Sequence, residues 1–430
     1  MRILVALYAE KTAFHSMAPL AWALRNAGHE VRVASQPELT DTVTGTGLTS
    51  VPVGRDHSLW RVLGMFGVAR GNPVVPLDTA VLPEEEVSWE YLRDGYDKLV
   101  PWWFSIVNDP MVDDLVAACR AWRPDLVLWD PRTFAAPVAA TAVGAVHARL
   151  TWGIDVYGKV RQRFLKRWDE QPEAERRDPL AAWIAGHAEA HGLGFDEVMT
   201  HGHFTIDQLP APLRLRADLD YMGMRYVPHN GPAVVPPWLW ERPRRPRVCL
   251  TLGTSATGRS YGRSVDVEDL VRSLAELDAE IVATVSDQER ERIGTVPDNV
   301  RLETFVPLQA LLPTCSAVVH HAGFGSVFTA LAEGVPQVLV PQQFDARAIG
   351  PRVAAQGAGV HVPSDEADGP RVRDAVARVL ADPSYRERAG ALRREAAGLP
   401  GPHEIVPRIE SAVRALRGST TNPATGPVFR

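Results

Sequence analysis

Cysteine is scarce. The 430 residues contain three, Cys119, Cys249 and Cys315, far apart and each beside apolar neighbours. That excludes a disulfide framework or a cysteine metal cage and fits buried thiols in a reducing cytosol. Lysine is nearly absent too: only Lys11, Lys98, Lys159 and Lys166 stand among 46 basic residues. Against 52 acidic residues the net charge is −6 and no block of like charge occurs, so neither nucleic acid nor an anionic membrane surface is a matched partner. No apolar run reaches the ~20 residues of a membrane span. The uncharged stretch 133–148 contains Pro137 and Gly144, and the longer one, 304–332, contains Pro307, Pro313, Gly323 and Gly325. At the amino terminus Glu10 and Lys11 arrive before a secretory core could form, so a cytoplasmic location is expected. Tryptophan, finally, is missing from the last 190 residues, all twelve lying between Trp22 and Trp240. Two halves with different ligands are the natural reading.

What is present repeats one grammar. Arg2 to Tyr8 reads as a strand. A loop carrying His15 follows, then a helix from Met17 to Ala27 with Ser16 as N-cap, Pro19 in its first turn and Gly28 at its end. A second strand at Glu30 to Ala34 completes a βαβ unit, which implies a parallel sheet covered by helices. Asp125 to Trp129, ending at Asp130, begins another such unit with a small-residue helix through Ala142. Between Val53 and Pro101 the pattern is irregular and aromatic, so Trp60, Phe66, Trp89, Trp102 and Trp103 are candidates to line an apolar cavity over the sheet's carboxyl edge, where open α/β sheets bind ligands. Prolines crowd Val227 to Arg247 as a linker, after which a fresh strand, Arg247 to Leu252, breaks at Gly253-Thr254-Ser255.

The chemistry concentrates in residues 304–332. Strand Ala317 to His320, turn His321-Ala-Gly-Phe-Gly325 and a helix from Ser326 to Glu333 place free backbone N–H groups and a positive dipole end at one point, which is an anion site. The third glycine of a dinucleotide fingerprint and the Gly-Lys-Ser/Thr of a P-loop are both missing. His321 could donate to a diphosphate and stabilise departing negative charge without a metal.

Taken together, Phe305-Val-Pro-Leu-Gln-Ala-Leu-Leu-Pro313, His320-His-Ala-Gly-Phe-Gly-Ser326, Gly334-Val-Pro-Gln337 and Pro341-Gln-Gln-Phe-Asp345 resemble the donor-binding block of the GT-B, family 1 glycosyltransferases. Met224-Arg-Tyr-Val-Pro-His-Asn-Gly-Pro-Ala-Val-Val-Pro236 and Arg247-Val-Cys-Leu-Thr-Leu-Gly253 are similar to the antibiotic deoxysugar branch, including macrolide desosaminyl transferases. The resemblance implies an α/β GT-B fold, two Rossmann-like domains with parallel sheets facing a central cleft. Residues 1–225 would bind the acceptor, 226–246 link, and 247–402 bind the donor; helix 403–418 would return to the first domain and 419–430 would be a flexible tail. It further implies that His321 contacts the diphosphate, Gly323 to Ser326 (with Phe324 and Gly325) cradle it, Val306 and Pro307 flank the base, Thr254 lies near the phosphates, Asp345 faces the sugar, and Phe344 belongs to the donor site. Thr329 stands where glucose-using branches have a glutamate on the ribose hydroxyls, which suits a 2′-deoxyribose and hence thymidine diphosphate (TDP). No cofactor or metal is expected beyond the TDP-deoxysugar. The hydrophobic polyketide aglycone is the second substrate, and a P450-like activator protein is a partner the branch implies.

Transfer to an alcohol needs a base. His15 follows the first strand and Asp130 ends another parallel strand, where a carboxylate could orient the imidazole; the resemblance matches both to the catalytic dyad of an inverting displacement. Other candidates are weaker: His187-Ala-Glu-Ala-His191 is not a zinc-protease motif, and Asp218-Leu-Asp220 precedes the linker. A sugar-nucleotide epimerase and a non-catalytic nucleotide-sugar binder are the competing readings.

Overall fold

Short apolar runs bounded by glycine, proline or an acidic residue become strands, and amphipathic segments between them become the covering helices. The computed structural model describes residues 1–65, 77–229, 231–253, 265–341 and 344–419. Its first sheet has seven strands: β1 (Arg2–Ala6), β2 (Glu30–Ser35), β3 (Thr49–Pro52), β4 (Leu126–Trp129), β5 (Val146–Thr151), β6 (Phe204–Asp207) and β7 (Tyr221–Gly223). The second has six: β8 (Arg247–Thr251), β9 (Glu280–Thr284), β10 (Val300–Glu303), β11 (Ala317–His320), β12 (Gln337–Leu339) and β13 (Gly359–His361). Every pairing is parallel, in the orders β3-β2-β1-β4-β5-β6-β7 and β10-β9-β8-β11-β12-β13. In each sheet the order reverses at one place, between β1 and β4 and between β8 and β11, and such switch points open a crevice at the strands' carboxyl ends.

Central strands are buried on both faces; β4, β5 and β8 expose no residue, as parallel sheets require. One apolar cluster runs from Tyr8, Phe104 and Tyr157 in the first half to Phe324, Phe328 and Ile349 in the second. The three cysteines are free and buried, and burial pushes the thiols of Cys119 and Cys315 up to about 12. Among the described residues no helix is long and apolar enough to cross a membrane.

Helix boundaries near both ends of the chain differ from expectation. The first helix runs Lys11–Asn26, so His15 lies in its second turn and not in a loop. Glu10, whose carboxylate accepts from the Thr12 hydroxyl at 3.0 Å, caps it, while Ser16 donates to the Ala13 carbonyl inside the helix and Pro19 is interior. The acidic cap outweighs the serine because it satisfies donors six residues earlier. Gly28 does adopt φ +89° beyond the helix end. The last helix, Val406–Ser419, packs Ile409 and Val413, with Ile405 just before it, into a cluster with Ile3 and Leu24. It is also tied to the first half by Glu410 to His29 at 3.0 Å and by Arg417 to Asp125.

Candidate active site

At the second switch point, β11 delivers His320 and His321 into the glycine turn. His320 is fully buried, and its Nδ1 accepts from Ala322 N–H at 3.0 Å while Nε2 faces Gln337 Oε1 at 2.9 Å. Burial first, then His321, lowers its pKa to about 3, so the ring stays neutral and pins the turn. Ala322 is held at φ +60°, a left-handed conformation that costs a non-glycine residue free energy and marks a constrained site. The helix that follows is Phe324–Glu333, with Gly323 as N-cap and no acidic residue in its first turn. Ser326 N–H and Val327 N–H both bond to the Gly323 carbonyl at 3.0 Å, and the N–H groups of Phe324 and Gly325 before them are the ones a helix start leaves without intrahelical acceptors. Among the described residues, a Cβ at Gly325 would meet nothing within 4 Å, whereas one at Gly253 or Gly323 would overlap the His321 ring. Gly253 and Gly323 thus seat the imidazole, and Gly325 leaves space open beside the helix start. Ser326, 8% exposed, sits in that first turn.

At the first switch point, His15 and Asp130 lie beside the same sheet edge, since Asp130 N–H bonds to the Ala6 carbonyl ending β1. The expected dyad does not form. Asp130, fully buried, grips the Arg132 guanidinium through both oxygens at 3.1 and 3.0 Å and also accepts Arg132 N–H at 2.8 Å. A guanidinium fork matches a carboxylate better than one imidazole nitrogen does, and it is nearer along the chain. Instead His15 has the His229 ring at 5.3 Å, and a Cβ at Gly231 would lie 3.2 Å from its Cε1. Burial, followed by His229 and Lys11, lowers the His15 pKa to about 4.

Arg132 ties the two switch points together. Its guanidinium lies over the Tyr8 ring at 4.7 Å and the Trp152 ring at 4.3 Å, and Trp152 meets Phe324 edge-on at 6.0 Å. Asp345, 6% exposed in the first turn of helix Phe344–Ala355, accepts Ala346 N–H at 2.9 Å. Its pKa is raised by burial, which the Arg132 charge opposes.

The remaining expected residues divide. Val306 is buried in a cluster with Cys249 and Leu311, while the ring of the neighbouring Phe305 is 43% exposed. Pro307 caps the short helix Leu308–Leu311. Thr329 is fully buried, its hydroxyl donating to the Gly325 carbonyl at 2.6 Å and meeting the Tyr226 hydroxyl. Tyr226 stands at the start of the linker. Among the aromatics, Trp89 is core, packed on Phe164 at 5.2 Å. Tyr8, His57, Trp60 and Trp103 instead form a file of rings, 5.4, 6.4 and 6.2 Å apart, leading away from the end of β1, and Trp102 is exposed. Phe66 and Thr254 lie outside the described residues. His187 and His191 serve separate carboxylates, Asp109 at 2.9 Å and Asp113 at 3.1 Å, and Asp218 and Asp220 are exposed ahead of β7. Sequence reasoning missed Arg132, Trp152, His229 and Phe305. Strand alternation past β10 could have found Phe305; the others depend on packing between distant segments.

Residues 22–253 match the family described as Erythromycin biosynthesis protein CIII-like, N-terminal domain, and residues 268–412 match its C-terminal domain. The chain is 47% identical over 414 residues to 10-deoxymethynolide desosaminyltransferase of Streptomyces venezuelae, covering 95% of this chain and 96% of the relative. It is 44% identical over 430 residues to tylactone mycaminosyltransferase of Streptomyces fradiae, covering 99% and 95%. The solved structure of glycosyltransferase VinC in complex with dTDP superposes with a TM-score of 0.86 at 38% identity over 96% of this chain and all of VinC. The chain therefore belongs to the Erythromycin biosynthesis protein CIII-like family of GT-B glycosyltransferases.

Proposed function

We propose that the protein transfers a deoxysugar from a TDP donor to a hydroxyl of a polyketide aglycone, macrolide or aromatic, in antibiotic biosynthesis, with inversion at the anomeric carbon. The observation that carries this reading is the pair of switch points joined through Arg132, Trp152 and Phe324. One offers an anion seat at a helix start, the other a neutral histidine. The dTDP held by VinC and the macrolide substrates named for the relatives support the donor and acceptor classes.

In the reaction, His15 takes the proton of the acceptor hydroxyl as the oxygen forms its bond to the anomeric carbon. The bond from that carbon to the diphosphate breaks, and TDP leaves toward the Phe324–Glu333 helix start, where backbone N–H groups and His321 receive its charge. No metal takes part in this scheme. A His15 pKa near 4 keeps the base neutral at ordinary pH but makes it a weak one, so proton removal is late and concerted with TDP departure. The tryptophan-rich first half holds the aglycone, and the second half holds the donor. The reducing cytosol suits the three free thiols, and a P450-like activator docks on the first half, as the family resemblance implies.

Mass spectrometry of products from TDP-deoxysugars and polyketide aglycones, with and without a P450-like helper, tests the reading. The expected product is the aglycone plus one deoxyhexose, with TDP released. Donor conversion in the absence of aglycone, or preference for UDP-glucose, would contradict it.

A further inference from the structure

His15 stands half-buried in the second turn of the first helix, and the carboxylate expected to orient it is spent on Arg132. Something else must hold the imidazole, because a base free to rotate spends little time aimed at an acceptor hydroxyl. The linker supplies that support. His229 lies beside His15 with ring centroids 5.3 Å apart and planes inclined at 56°. Gly231, at φ +76°, brings backbone so close that an added Cβ would lie 3.2 Å from His15 Cε1 and 3.4 Å from Nε2. Glycine suits both that conformation and that approach. Nδ1 of His229 is buried and has no hydrogen-bond partner among the described residues. The ring's place is set by the chain before it.

That chain is fastened at both halves. Just after β7, Met224 N–H bonds to the Asp207 carbonyl at 2.9 Å and Arg225 N–H to the Pro400 carbonyl at 2.8 Å. Tyr226 then stacks on Phe328 at 4.7 Å with planes 23° apart, and its hydroxyl is hydrogen-bonded to Thr329 and to the His229 backbone. Phe328 and Thr329 belong to helix Phe324–Glu333, whose start receives the diphosphate in the proposed reaction. One short stretch of linker thus runs from that helix to the base. We infer that His229 is a positioning residue: anchored through Tyr226 to the diphosphate-binding helix, it holds the His15 ring in its working orientation in place of a carboxylate. This rests on the reading of His15 as base. The base is then aimed from the half that holds the departing TDP.

The test is steady-state transfer and calorimetric TDP binding by the full-length protein, with TDP-D-desosamine and 10-deoxymethynolide or the pair that the product assay above selects. His229→Ala removes the supporting ring, His229→Phe keeps one, and Tyr226→Phe keeps the stack on Phe328 while dropping the hydroxyl. In His229→Ala, kcat should fall about tenfold, with KM for both substrates and TDP affinity within about twofold of the wild type. His229→Phe should restore kcat to within about twofold, and Tyr226→Phe should lower it about threefold. Unchanged kcat in His229→Ala, a loss carried by KM or TDP affinity, or a phenylalanine variant as slow as the alanine one overturns the inference. Unchanged kcat in Tyr226→Phe overturns the anchor. Undiminished transfer by His15→Ala would instead sink the base reading, and a wild type that forms no product would sink the TDP-sugar reading.

Discussion

Asp130 commits both carboxylate oxygens to Arg132, and this changes what its mutation should do. Asp130→Asn leaves a buried guanidinium without its counter-charge, so a loss of roughly 3–5 kcal/mol of stability is expected in urea denaturation. Asp130→Leu with Arg132→Met removes both charges and should recover much of it. The acid limb of kcat/KM should not move in Asp130→Asn, because the carboxylate does not touch His15. Native stability with a shifted limb would restore the dyad. His15 makes a pH prediction of its own. With its pKa lowered to about 4 chiefly by burial, kcat/KM should hold from pH 8 to below 6; an acid limb near 7, measured in the range where the protein stays folded, would contradict this. The sequence placed both residues at the right sheet edge, because strand ends are legible from apolar runs. Their partners were not legible, since a guanidinium two residues on and a histidine more than two hundred residues away compete only once the chain is folded.

At the scale of elements, the anion site is one strand, one turn and one helix, and its glycines play separable parts. Gly325→Ala should fold as the wild type does, because no described residue stands within 4 Å of the new methyl group and alanine favours a helix by up to about 1 kcal/mol. Its TDP affinity should nevertheless fall by an order of magnitude or more if the diphosphate fills that space. Gly323→Ala should displace His321 and disturb the turn even without ligand, which thermal denaturation would register. The element itself could be read before the fold was known: 29 uncharged residues holding a strand, glycines and a helix leave little choice. Its start was misplaced by two residues because Gly323, lacking a side-chain cap, begins the helix at Phe324. The first helix was misread for the opposite reason. Serine and proline resemble a start, and the capping carboxylate of Glu10 lies six residues earlier.

Across the whole molecule, the histidines set an acid limit. His147 is buried with both ring nitrogens unpartnered among the described residues, and burial lowers its pKa far below the ordinary value. His201, His203 and His320 are lowered by burial as well. Each is about 6.5 in the unfolded chain and lower when folded, so the unfolded state binds more protons below that value. Their contribution is complete above pH ~6.5 and is lost as pH falls toward the folded values, at up to about 1.4 kcal/mol per pH unit for each. Stability measured from pH 7.5 to 5 should fall steeply; a flat profile would contradict the burial of these rings. The two-sheet architecture and the docking of the last helix followed from repeated strand–helix units and from Ile405, Ile409 and Val413 on one face. The pairing of the halves through Arg132, Trp152 and Phe324 did not, because those residues belong to three separate segments. The central claim is that this cleft joins a TDP-sugar to an aglycone with His15 as base. The most direct measurement is the transfer rate of His15→Ala under saturating donor and aglycone, alongside its TDP affinity. A rate at least about a hundredfold lower with TDP binding unchanged is the predicted result; undiminished transfer would contradict the account.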